Sequence, residues 1–163
     1  MKAFFFTMAL VAVGLPSTSY SYFTTEQSAR VIANDAALYS LTYRFSHPSE
    51  MLSLPATALR DATSTTALSY SLLADSEDVS DFGTITTMIK SNAPETDGWY
   101  RVSAGQSRTF TLYALLEYDL HPEDEADYAL SVTALPFMIG ALENGLNPSE
   151  LTTYQTPEID LRD

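Results

Sequence analysis

The chain contains no cysteine among its 163 residues. This absence excludes disulfides, thiolate metal sites and cysteine nucleophiles, so packing, hydrogen bonds or a bound ion must hold the fold. Positive charge is also scarce, because 8 Lys and Arg residues stand against 21 Asp and Glu residues, and the formal net charge is −13. Such a field repels nucleic acid and anionic membrane surfaces, and we expect neither as a partner.

The residues that most often carry catalysis are equally rare. The two histidines, His47 and His121, each precede a proline, an arrangement typical of exposed turns. With no cysteine and two histidines, a zinc site would need carboxylates to complete it. The HExxH and GxSxG motifs and the Gly-rich phosphate loop are all absent. The sequence therefore predicts that the protein is not an enzyme.

The N-terminus has the pattern of a secretory leader. Lys2 precedes an apolar run over residues 3–15, which is shorter than the roughly 20 residues that span a bilayer. Ser17 and Ser19 are small residues that fit the −3 and −1 positions of a cleavage site after Ser19, and Ser19 and Ser21 fit a site two residues later. We predict a signal peptide over 1–19 and a single domain over 20–163, loosely ordered from about residue 140. An uncleaved anchor is the alternative. The cleaved protein would have no stable membrane span and would be secreted, in the cell envelope or extracellular.

Residues 108–137 read as two long β-strands joined by an acidic loop. Apolar residues alternate with polar ones in both halves, and a period of two marks half-buried strands. Residues 37–45 show the same alternation. The predicted core positions are Tyr39, Tyr43, Phe45, Tyr70, Phe110, Leu112, Ala114, Leu116, Tyr118, Tyr128, Leu130, Val132 and Ala134. Turn signals between the runs predict an all-β fold, an antiparallel Ig-like sandwich of about 7–9 strands.

Within that stretch, residues 123–128 read EDEADY and resemble the E–F corner of immunoglobulin variable domains. The resemblance implies that Tyr128 is a structural corner tyrosine. Leu130 stands where that family has a cysteine, and Trp99 lies too close to Tyr128 to be the family's core tryptophan. The similarity covers about 30 residues, and it implies a sandwich with a corner tyrosine. It says nothing about antigen recognition.

The whole chain is similar to uncharacterised small exported β-sandwich proteins of bacteria. The segments that carry this resemblance follow the leader as YFTTEQSAR, GWYRVSAGQSRTFTL, DYALSVTALPF and LNPSEL. It implies export and an Ig-like fold, and it implies no activity.

Two acidic clusters offer the oxygen ligands that calcium prefers. The first contains Asp75, Glu77, Asp78 and Asp81, and the second, the better candidate, contains Asp119, Glu123, Asp124, Glu125 and Asp127. Neither has the spacing of an EF-hand loop. The alternative interpretation is that both clusters are solvated turns that keep strand edges from pairing with other chains.

Three aromatic residues could form an exposed platform on which sugar rings stack. Trp99 and Tyr100 lie beside a polar loop, and Tyr113 falls on the opposite strand face from Phe110. The alternative for Trp99 is that it caps one end of the core, since a large ring hides much apolar area when buried.

The sequence favours a non-catalytic exported structural or interaction module at or near the cell surface, with a protein or glycan partner. A carbohydrate-binding module and a calcium-stabilised adhesion-type domain are the alternatives. If the protein assembles by strand exchange, residues 152–161 are the candidate segment to insert into a neighbour's sheet.

Overall fold

The computed structural model describes residues 21–46, 48–60, 64–79, 82–119, 126–146, 151 and 154–162. The predicted leader lies outside these residues. The described part is all-β, as predicted, and its two sheets are arranged like an open sandwich. It contains more strands than predicted, because several are only two to four residues long. They are β1 (Ser21–Ala33), β2 (Ala36–Ser46), β3 (Leu52–Pro55), β4 (Ala58–Arg60), β5 (Leu68–Ala74), β6 (Glu77–Asp78), β7 (Thr84–Ser91), β8 (Glu95–Thr96), β9 (Trp99–Val102), β10 (Ser107–Glu117), β11 (Asp127–Ile139), β12 (Leu142–Leu146) and β13 (Ile159–Asp160).

The smaller sheet has the strand order β1-β2-β10-β7, and all its pairs are antiparallel. The alternation predicted for β2 and β10 is confirmed, because every second residue is buried from Ala37 to Phe45 in β2 and from Phe110 to Leu116 in β10. The intervening residues, such as Ser40 and Tyr113, form the outer face of this sheet and are partly exposed. The smaller sheet therefore has one face buried in the core and one face exposed to solvent.

The larger sheet is built around β11. Each half of this strand has partners on both edges: Tyr128 lies opposite Ala74 of β5 and Ile159 of β13, and Met138 lies opposite Ser53 of β3 and Glu143 of β12. The sheet continues from β3 to the β9–β8 hairpin. The β4–β5 pair is parallel, which departs from the predicted wholly antiparallel arrangement.

A β-bulge in β11 changes which residues face the core. The register against β5 shifts between Val132 and Ala134, so the buried positions move from even to odd numbers. Ala134 is half-buried rather than a core residue, while Leu135 and Phe137 are buried. The inserted residue breaks the period of two on which the prediction for Ala134 depended.

Aromatic rings from both sheets meet in the core. Phe110 stacks on Tyr43 with ring centroids 5.4 Å apart, and Phe45 contacts Phe137 of the larger sheet at 5.7 Å. Tyr39 and Tyr70 are buried as well, as predicted. Aromatic pairs of this kind stabilise the core beyond the effect of the apolar area that they bury.

The described residues of the C-terminal segment pack against their own chain. The backbone of Tyr154 accepts a hydrogen bond from Val132 N–H, and the N–H of Thr156 donates to Leu130 O. Tyr154, Thr156 and Leu161 are all buried. The described residues of the candidate segment for strand exchange, 154–161, thus lie along an edge of β11 in the same molecule. Among the described residues, no helix is long and apolar enough to cross a membrane.

Candidate functional site

Tyr100 is a core residue. Its exposed fraction is 7%, and its ring lies edge-on against Phe110 with centroids 5.8 Å apart. The hydroxyl donates a 2.9 Å hydrogen bond to the carbonyl of Ile89. Burial, with a smaller effect from Glu95, raises the pKa of Tyr100. This residue therefore offers no ring to a ligand, contrary to the sequence interpretation.

Trp99 and Tyr113 are half-buried but lie on different sheets. In β9 the buried positions are Tyr100 and Val102, so Trp99 points away from the core on the larger sheet. Tyr113 lies on the outer face of the smaller sheet, where the Lys90 ammonium sits 5.8 Å from its ring centroid. Since the two sheets pack with their inner faces together, these two rings cannot form one platform.

The acidic clusters meet through two hydrogen bonds between Asp75 and Asp127. A carboxylate oxygen of Asp75 accepts a bond from the Asp127 N–H, and the Asp75 N–H donates to the Asp127 carbonyl. Asp119 and Asp127 are exposed. Asp81 and Glu123, Asp124 and Glu125 lie outside the described residues. Across the described ranges, no three His, Asp or Glu side chains are grouped closely enough to hold a metal ion.

We expect the melting temperature to be the same in calcium and in EDTA, because the Asp75 carboxylate already accepts a backbone hydrogen bond and Asp127 is solvated. The measurement is a thermal melt of the protein in each buffer, with magnesium as the control for general charge screening. A ligand that binds only the folded state adds about 2.7 kcal/mol at a hundredfold excess over Kd. A calcium-specific rise of that size would contradict the expectation and restore Asp119–Asp127 as a metal site.

A feature that sequence reasoning missed is a shallow apolar depression on the outer face of the smaller sheet. We call it the outer-face groove. It has a volume of about 360 Å³ and is lined by Leu38, Thr86, Thr87, Met88, Lys90, Tyr113 and Leu115. Met88 is 50% exposed. The alternation of β2 and β10 predicts that Leu38 and Leu115 lie on the solvent-facing side of the sheet. Their proximity to Met88 depends on the strand register, which cannot be predicted from the sequence.

The charge around the outer-face groove differs from the acidic average of the chain. Arg30, Arg44 and Lys90 project from this face together with the acidic residues Glu26 and Glu117. Hydrogen bonds between side-chain hydroxyls also link neighbouring strands there. The Oγ atoms of Ser28 and Ser40 are 2.8 Å apart, and the Oγ1 atoms of Thr42 and Thr111 are 3.0 Å apart. The face is therefore mixed in charge, rich in hydroxyls and apolar at its centre.

No family model, no curated protein and no solved structure matches this chain. The fold and the groove define its class as an all-β protein with two sheets in a sandwich-like arrangement and a partly apolar outer sheet face.

Proposed function

We propose that the protein is a non-catalytic exported module that contacts another macromolecule through the outer-face groove, at or near the cell surface. The observation that carries this proposal is the groove itself. The outer face of an antiparallel sheet is ordinarily polar when it faces only water. Here Leu38, Met88 and Leu115 gather around Tyr113, and exposed apolar patches often mark interaction surfaces.

The leader-like N-terminus supports export. Lys2, the apolar run of residues 3–15 and the small residues Ser17 and Ser19 are the features of a signal peptide. The net charge of −13 favours solubility. These features favour the cell envelope or the extracellular space as the place of action.

An Ig-like arrangement belongs to the same proposal. Strands β10 and β11, which flank the EDEADY segment, lie in different sheets, as strands E and F of immunoglobulin domains do. Tyr128 is buried, and its ring stacks on Phe82 with centroids 4.5 Å apart. This packing supports a structural role for Tyr128.

Site-specific photo-cross-linking in producing cells tests the groove. We expect a photoreactive phenylalanine analogue at Met88 to give an adduct of defined mass with one or a few exported macromolecules, because Met88 lines the groove. The same analogue at Met51 is the matched control, since Met51 is 40% exposed but is not among the groove residues. Equal labelling from both positions, or none from Met88, would contradict the proposal.

A further inference from the structure

Strand β7 is an edge strand of the smaller sheet. One edge of β7 pairs with β10 in unbroken register from Thr84 to Ser91, and no described strand forms a backbone ladder with the other edge. The Thr87 hydroxyl donates a hydrogen bond to the carbonyl of Ala58 in β4 of the larger sheet. Its sequence, TITTMIKS, is rich in β-branched residues and has a single charge, Lys90. Proteins usually blunt such edges with charges, prolines or bulges, because an open edge is a template for another strand.

The opposite edge of the same sheet shows that protection. Strand β1 pairs with β2 with register shifts between Thr24 and Glu26 and between Val31 and Ala33. Glu26 and Arg30 add exposed charges along it. Irregular pairing and charge both hinder strand addition. The contrast within one sheet indicates that the regularity of β7 has a use.

We propose that β7 pairs with β7 of a second copy of this chain, antiparallel about a twofold axis at Thr87, which joins two four-stranded sheets into one. The inference rests on the proposed interaction function and names its partner and its edge. A twofold contact is self-complementary, so each contact made by one copy is repeated by the other.

Charge complementarity selects this register. With Thr87 opposite itself, Lys90 of one copy lies opposite Thr84 of the other, and Thr84 pairs with Glu117 on β10. Neighbouring strands are about 4.8 Å apart, so Lys90 and Glu117 of the two copies are separated by two strand spacings, roughly 10 Å, which their extended side chains can bridge. A register shifted by two residues would instead place Lys90 opposite Thr86, whose partner on β10 is the apolar Leu115.

The same register joins apolar groups on both sheet faces. Met88 of one copy lies opposite Thr86 of the other, beside Leu115 and the outer-face groove. On the inner face, Ile85 lies opposite Ile89. Directly opposed side chains of an antiparallel pair are close enough to pack. The two copies would therefore extend both the groove and the core across the junction.

Cysteine cross-linking tests the register, because the chain has no cysteine of its own. We expect Thr87→Cys to form a disulfide-linked dimer on mild oxidation, since directly opposed residues have Cα atoms about 4.5–5.5 Å apart. Thr84→Cys on the same strand is the control, because its two copies would lie about 20 Å apart. Equal cross-linking of the two variants, or none, would overturn the proposed pairing.

Charge reversal tests the same contact without a covalent bond. We expect sedimentation equilibrium of the full chain to show a dimer whose Kd rises about tenfold in Lys90→Glu and recovers in the double variant Lys90→Glu, Glu117→Lys. Arg30→Glu, on the far edge of the sheet, should leave Kd within about threefold, because it lies beyond a Debye length of the junction. A protein that stays monomeric at about 1 mM overturns the proposal. If the protein is monomeric and Met88 still gives a photo-adduct with a different macromolecule, the dimer is wrong and the proposed function still holds.

Discussion

The folded protein is expected to lose stability steeply as the pH rises above about 10. The main cause is a set of three tyrosines, Tyr39, Tyr43 and Tyr154, whose side chains are almost fully buried. In the described part of the chain, none of their hydroxyls has a hydrogen-bond partner. Burial raises the pKa of each of them well above the ordinary value, because a tyrosinate cannot be solvated in the core.

The sign follows from the protons that each state binds. Above about pH 10 the unfolded chain releases its tyrosine protons, whereas the folded chain keeps those on the three buried hydroxyls. The stability that these groups contribute is fully present below the unfolded pKa and is lost as the pH rises toward the higher folded pKa. Each tyrosine contributes a slope of about 1.4 kcal/mol per pH unit, so the three together give about 4 kcal/mol per pH unit.

Urea unfolding from about pH 8 to about pH 11 measures this slope. The Tyr43→Phe variant should lower it by about one third, and at neutral pH it should cost almost nothing, because the hydroxyl that it removes is unpartnered. Tyr100→Phe is the matched control at neutral pH. It removes a hydroxyl that donates to Ile89 O and should cost about 0.5–1.5 kcal/mol. A free energy of unfolding that stays constant through pH 11 would contradict the assignment.

The sequence predicted the long strands because their alternation is strong. In β10, each of Phe110, Leu112, Ala114 and Leu116 is buried, and a strand of eleven residues gives enough repeats to define the inner face. Strand β9 has four residues, too few to reveal which of Trp99 and Tyr100 faces inward. For this reason the prediction that the ring of Tyr100 is exposed was wrong.

Turns and pairing partners were harder to predict. Asp97 and Gly98 both have positive φ and form the two-residue turn of the β8–β9 hairpin, yet their polar surroundings read as a loop. Asn144 and Gly145 also read as a loop, although they belong to β12. Backbone pairing with β11 stabilises β12 independently of its side chains. The sequence of β12 therefore lacks the alternation of apolar and polar residues from which a strand is predicted. The outer-face groove was missed because Met88 and Leu115 meet only through the register of β7 against β10.

Gly83→Ala is expected to destabilise the fold by about 2–5 kcal/mol, through two separable effects. Gly83 immediately precedes β7 and has a φ of +66°, a left-handed conformation that costs an L-residue about 1–2 kcal/mol. An added Cβ would also collide with the carbonyl oxygen of Glu117 and lie 2.8 Å from Cδ1 of Leu116. Because the first of these neighbours is backbone in a paired strand, it cannot move without disturbing the β10–β7 register, and such overpacking costs a further 1–3 kcal/mol or so.

Two other glycines separate the collision from the conformational strain. Gly98 and Gly105 also have positive φ, at +76° and +72°, but a Cβ at either would meet no atom within 4 Å. Gly98→Ala and Gly105→Ala should therefore cost only the conformational term, about 1–2 kcal/mol. Urea unfolding of the three variants gives the collision energy as the excess for Gly83→Ala. An excess near zero would mean that the first residues of β7 move away from β10 at little energetic cost. Such a mobile strand could not hold Lys90 and Thr87 in the register that pairing with a second copy requires. A large excess would show that the start of β7 is fixed against β10, which is the rigidity that pairing through its open edge requires.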